Sequence, residues 1–126
     1  MFSSAKVDIV TDTGGDATVY LTHGNNKLNG FLYLLKYTPG TIATGADLAI
    51  TSEDKSIPIL TITDAGTSVV FWYPRALNNA VADGASGSCP TELIPIKDER
   101  IKVVVAQGGS VKTGSIEATL IAPSPY

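Results

Sequence analysis

Two Ser-x-x-Lys pairs, "SSAK" (Ser3 to Lys6) and "SEDK" (Ser52 to Lys55), and a "KTG" at 112–114 carry the residue types of a serine acyl-transfer site. That chemistry also needs a Ser-Asp-Asn element, a fixed order of the three parts and a much larger fold, and all three are missing. Fragments this short arise readily by chance. "GGSVKTGS" is not a phosphate loop, because its Lys precedes Thr and Gly instead of following the second Gly of the loop. Cys89 and His23 are a nucleophile and a base in type. Cys89 lies in a Gly- and Ser-rich stretch beside Pro90, and nothing in the sequence brings His23 to it. One His and one Cys also fall short of the three or four ligands of a zinc site. Asp8, Asp12 and Asp16 surround "TGG" without the spacing of a calcium loop, and acidic residues at turns commonly bond backbone amides. "DER" (98–100) reads as a solvated turn. No catalytic residue, cofactor or metal ligand is expected, and the chain does not read as an enzyme.

The aromatic residues say more. Phe71, Trp72 and Tyr73 are consecutive, so on a strand they point alternately to both faces. Tyr33 and Tyr37 sit on "FLYLLKY" (31–37), which is apolar on both faces. Two readings follow: an edge covered by the segment 76–90, or a contact surface, since exposed aromatic patches mark interfaces. On the second reading the interface residues are Tyr33, Tyr37, Phe71, Trp72, Tyr73 and, closing the same segment, Arg75. A sugar-binding platform built on Trp72 or Tyr73 is a further alternative.

These residues need strands to hold them, and the sequence supplies strand-like runs at short intervals. "KVDIVTD" (6–12), "ATVYLTH" (17–23), "DLAITSE" (47–53) and "IPILTIT" (57–63) alternate apolar and polar residues between turn formers. The run 57–63 joins "TSVVFWYPR" (67–75) through a short "DAG" connection and reads as a hairpin. "ALNNAVADGASGSCP" (76–90) has no pattern and reads as a long loop. "TELIPI" (91–96) is a short strand that Pro95 restricts to an edge. Near the end, Ile101, Val103 and Val105 face Ile116, Ala118 and Leu120 across "QGGSVKTGS", read as a closing hairpin. About nine strands without a helix predict an all-β fold, an antiparallel β-sandwich of immunoglobulin-like or jelly-roll-like type, with a small closed barrel as the alternative.

Length and composition fit this. The 126 residues suit a single domain (1–126), with residues 1–5 as an N-terminal arm and 122–126 as a C-terminal tail. Hydrophobic residues make up 44% and charged ones 17%, which excludes a disordered polyelectrolyte. The net charge of −3, spread without a basic stripe, argues against nucleic acid as a partner. A lone cysteine forms no intrachain disulfide. The start lacks the pattern of a signal peptide, and no apolar run approaches the ~20 residues of a membrane span, so synthesis in a cytoplasm without membrane contact is expected.

"GDATVYLT", "LNGFLYLLKYTPGTIATGADLAITSE", "IPILTITDAGTSVVFWYPRALNNAVADG" and "IPIKDERIKVVVAQGGSVKTGSIEATL" together resemble a family of small virion structural proteins of tailed bacteriophages. The likeness covers roughly residues 6 to 121. Its most specific parts are the segment ending at Arg75, "ADG" at 82–84 and "IKVVVAQGG…KTG". The resemblance implies a protein made in the host cytoplasm and resident in the virion, most often as a capsid decoration (cement) protein bound to the major capsid protein. It implies a homo-oligomer, with a trimer favoured, and no catalytic residues. A neck or tail subunit, as connector, tail-tube or fibre-associated protein, is the second position it allows.

Overall fold

The computed structural model describes residues 2–79 and 86–121, with the side chains of 77–79 and 86–89 left aside. The described residues form strands and turns without a helix, arranged as two antiparallel sheets in a sandwich. The first sheet runs in the order β1 (Phe2–Val10), β11 (Thr113–Ile121), β3 (Leu28–Thr38), β6 (Val70–Trp72), and β9 (Ile94–Glu99) also pairs with β3. The second runs β2 (Ala17–Leu21), β10 (Ile101–Ala106), β4 (Asp47–Ser52), β5 (Pro58–Ile62). A separate hairpin joins β7 (Ala76–Asn79) to β8 (Ser86–Glu92). The pairings among the described residues do not close the sheets into a barrel.

Strand periodicity builds the core. With side chains alternating between faces, Ala5 and Ile9 of β1, Ile116, Ala118 and Leu120 of β11, and Leu28, Leu32 and Leu35 of β3 line the inner face of the first sheet. Leu48 and Ile50 of β4 meet them from the second sheet, beside Ile101, Val103 and Val105 of β10. Burying an aliphatic side chain of this size contributes about 1.5–3 kcal/mol.

The strand partners differ from those expected. β10 and β11 belong to opposite sheets, so residues 107–112 cross between layers and do not close a hairpin. The six inward residues still face one another, across the core instead of along a ladder. Likewise β5 pairs with β4 and β6 with β3, so "DAG" links two sheets. Residues 2–5, expected as part of an arm, are the start of β1, with Phe2 opposite Ile121. Of the expected loop 76–90, the described flanks form the β7–β8 hairpin, while 80–85, including all of "ADG", and the tail 122–126 lie outside the described residues.

"DER" is also not a solvated turn. Asp98 is exposed, but the Glu99 carboxylate is fully buried and accepts hydrogen bonds from the backbone N–H of Asp54 (3.1 Å) and from Nζ of Lys55 (2.6 Å). It thereby fastens the β4–β5 turn of the second sheet to β9 of the first. Arg100 forms an ion pair with Glu53, Nε to Oε2 at 2.6 Å, and lies over the Tyr20 ring at 4.0 Å.

One core residue offers a simple test. Tyr37 is completely buried, and its hydroxyl has no hydrogen-bond partner among the described residues. Burial pushes its pKa up from the usual tyrosine value. An unpaired buried hydroxyl costs about 1–3 kcal/mol, so Tyr37→Phe is expected to leave the protein as stable or up to ~1 kcal/mol more stable. Denaturant midpoints of the two proteins check this, and a clear loss of stability would show that the hydroxyl is bonded.

Candidate binding surface

The strands of the first sheet carry Phe2, Val10, Phe31 and Phe71 as large exposed side chains. In β1 every even-numbered residue from Phe2 to Val10 points outward. The registers then place Phe2 opposite Ile121, Ile121 opposite Phe31, and Phe31 opposite Pro95. Four strands thus contribute one apolar row across the sheet. Phe2 is 62% exposed and Phe31 39%. The Tyr33 ring joins the row, with its centroid 5.4 Å from that of Phe2. Beside it Phe31 and Pro95 line a shallow, mainly apolar cleft of about 280 Å³ with Asn29, Gly30, Ile96 and Lys97.

A bulge sets which aromatic residues reach this face. Thr119 pairs with Leu34 but Leu120 pairs with Leu32, so β3 carries one extra residue at Tyr33–Leu34. An extra residue reverses the parity of everything beyond it. Tyr33 therefore stays on the outer side while Tyr37, four residues on, turns into the core. At the same point β3 exchanges one neighbour for another: β9 pairs with residues 28–32 and β6 with 35–37. Arg75 holds the bulge, since its Nη1 donates to the Tyr33 carbonyl at 2.8 Å and its guanidinium lies 5.3 Å from the Tyr33 ring.

The six expected interface residues accordingly divide. Phe71 and Tyr73 are open, at 50% and 58% exposure, and Tyr33 is half-buried at the edge of the apolar row. Tyr37 is not an interface residue, being wholly inside. Trp72 stacks on it, centroids 5.4 Å apart and planes 13° from parallel. Trp72 pairs with Leu35, which faces inward, whereas Phe71 pairs with the outward Lys36. Alternation thus does what three consecutive aromatics require, sending one ring in and two out. Trp72 is thus partly buried against the core, while Tyr73, the other ring of the sugar-platform alternative, stays open. Phe2, Ile121 and Pro95 were not singled out from the sequence; Phe2 carried a signal only as an apolar residue in a segment read as an arm.

The catalytic fragments are scattered. Ser3 and Lys6 lie three apart on a strand and so point to opposite faces. The Ser52 hydroxyl accepts from the Ile57 N–H at 2.9 Å, and Lys55 is committed to Glu99. The Asp12 carboxylate caps its own turn through the N–H groups of Gly14 (2.8 Å) and Asp16 (3.0 Å). Among the described residues no three His, Cys, Asp or Glu side chains gather as a metal site. The Cys89 side chain lies outside the described ones. Among the described residues no helix is long and apolar enough to cross a membrane.

Two carboxyl groups depart from their usual range. Burial alone would push Glu99 up, but the Lys55 ammonium and the backbone N–H groups of Lys55 and Asp54 outweigh it and hold the carboxyl low. At Glu53 the hydrogen-bonded Arg100 guanidinium does the same. Both are scaffold interactions of the turn region and lie away from the apolar row.

No protein-family model matches the chain, and no curated protein is similar to it. Among solved structures, the crystal structure of FLHE is similar at a TM-score of 0.49 and 11% identity, covering 94% of this chain and 96% of that one.

Proposed function

We propose that this chain is a non-enzymatic structural subunit that works by docking the outer face of its first sheet against neighbouring protein. The observation that carries this is the cross-strand row of Phe2, Ile121, Phe31 and Pro95, extended by Tyr33, with exposed Phe71 at the end of the charged Lys6–Glu117–Lys36 row on the same face. Apolar surface of this kind gains about 25 cal/mol per Å² when covered, and aromatic rings are enriched in interface cores. The sequence resemblance to virion proteins of tailed phages supports a particular setting: a decoration protein on the capsid, with the major capsid protein as the partner. Its task there is mechanical. Many weak identical contacts across subunit seams add up on a lattice, where each bound copy raises the effective concentration of the next contact.

Quantitative mass spectrometry of purified virions tests this setting. The expected result is a copy number in proportion to the major capsid protein. A few copies per particle would move the protein to the neck or tail, and its absence from particles would reject a virion role altogether.

A further inference from the structure

β1 is an edge strand protected by side-chain charge alone. Among the described residues it pairs only with β11, and the facing edge strand β2 pairs only with β10. Between these two edges lies an open cleft of about 450 Å³, with Val7 on one side and Val19 and Tyr20 on the other. Edge strands usually avoid pairing with another chain by being short, or by carrying a bulge, a proline or a charge. β1 has nine residues in continuous register with β11, and it contains no proline. Its two outward charges, Lys6 and Asp8, are the features that oppose indiscriminate edge-to-edge pairing.

The charges on the outer face decide which partner fits. The register sets Lys36 opposite Glu117, and Glu117 opposite Lys6. This ladder of alternating sign ends at the edge on a cation. In the next outward row, Asp8 stands opposite Ser115 and Ser115 opposite Thr38, with no cation. Neither Lys6 nor Asp8 forms a salt bridge among the described residues. An antiparallel strand that sets an anion against Lys6 and a cation against Asp8 completes both rows. β1 itself is such a strand when the symmetry axis passes through Val7.

We propose that β1 is a self-complementary edge through which two copies of this chain pair antiparallel about a two-fold axis at Val7, merging their first sheets into one. In that register Lys6 meets Asp8 of the second copy, and Asp8 meets Lys6. Ala5 meets Ile9 on the inner face. Phe2 and Val10, exposed at 62% and 57%, become diagonal neighbours across the junction, within reach of a large side chain. A shift to centre the axis on Lys6 would set the two lysines against each other, so charge selects the register. The pairing is two-fold, unlike the trimer expected from the sequence, and it stands independently of any virion role.

Charge reversal tests it without touching the core. The wild-type chain is expected to sediment as a dimer. Lys6→Glu alone sets carboxylate against carboxylate across the junction, and Asp8→Lys alone sets ammonium against ammonium, each twice per dimer. Each variant should associate about tenfold more weakly or worse. An equimolar mixture of the two variants restores both attractive pairs and should recover dimers, all as mixed pairs. Val69→Ser, an exposed position just before β6 at the other side of the sheet, should leave dimerisation unchanged. A wild-type chain that stays monomeric up to its solubility limit overturns the proposal. So does association that neither reversal weakens, or a mixture that associates no better than its components.

Discussion

Replacing Gly40 by alanine is expected to destabilise the protein by about 3 kcal/mol, and two separate costs make up the loss. Gly40 has φ of +55°, in the left-handed region that L side chains adopt reluctantly. A Cβ there would also lie 2.4 Å from the carbonyl oxygen of Thr113, a backbone atom that cannot swing aside. The close approach has a cause. Thr41 donates its N–H to that same oxygen at 2.8 Å, and the Thr41 hydroxyl accepts from the Thr113 N–H at 2.9 Å. These bonds pin the loop after β3 to the first residue of β11, so relieving the clash means stretching them. Gly24 supplies the comparison: its φ is +58°, but a Cβ there meets nothing within 4 Å. Gly24→Ala should therefore show the conformational cost alone, about 1 kcal/mol. Chemical denaturation of both variants separates the two costs, and equal losses would mean that the approach of Gly40 to Thr113 is not a constraint.

Removing the buried carboxylate is expected to have a comparable effect. Glu99→Ala strips the partner from the backbone N–H of Asp54 and Lys55 and releases the Lys55 ammonium, which is half-exposed and returns to water at little cost. The loss is thus dominated by unpaired N–H groups and the vacated volume, together about 3 kcal/mol. That corresponds to a fall in Tm of roughly 10 °C for a domain of this size. Glu99→Gln keeps one acceptor and should lose less. The pH dependence gives a sharper signature. The folded-state carboxyl titrates below its ordinary value of 4.5, so the unfolded chain binds the proton first as the solution is acidified. The contribution of Glu99 is therefore complete above the ordinary carboxylate range and lost as pH falls through the lower folded-state value. Wild type and Glu99→Gln should differ at neutral pH and converge in acid. A stability difference that stays constant from pH 7 to strongly acid solution would rule out this carboxylate–ammonium contact.

The faces of the strands were legible in the sequence, and their partners were not. Alternation at Val103, Val105, Ile116 and Leu120 identifies inward residues whichever strands lie beside them, because the period of two belongs to one strand alone. Pairing depends on which loops cross between layers, and "QGGSVKTGS" and "DAG" look the same whether they turn back along a sheet or step over to the other. Residues 2–5 gave little strand signal, since two serines precede the small Ala5; their pairing comes from β11. The flanks of 76–90 lacked alternation, as befits a hairpin that pairs apart from the two main sheets.

The candidate binding surface was half legible for a related reason. Consecutive aromatics at 71–73 had to project to both sides, and they do. Tyr33 and Tyr37 share parity and would share a face on a regular strand. The bulge at Tyr33–Leu34 separates them, and nothing in "FLYLLKY" marks where an extra residue will be accommodated. Glu99 was misread because its carboxylate is satisfied by N–H groups more than forty positions earlier in the chain, a relation that only the fold creates.

Oxidative footprinting of aromatic side chains, on the free chain and on the assembly proposed to contain it, bears most directly on the proposed docking face. If the outer face of the first sheet is what neighbouring protein covers, Phe2, Phe31 and Phe71 should lose reactivity on assembly, while buried Tyr37 stays unreactive in both states. Phe2, Phe31 and Phe71 reacting as readily in the particle as in the free chain would contradict it.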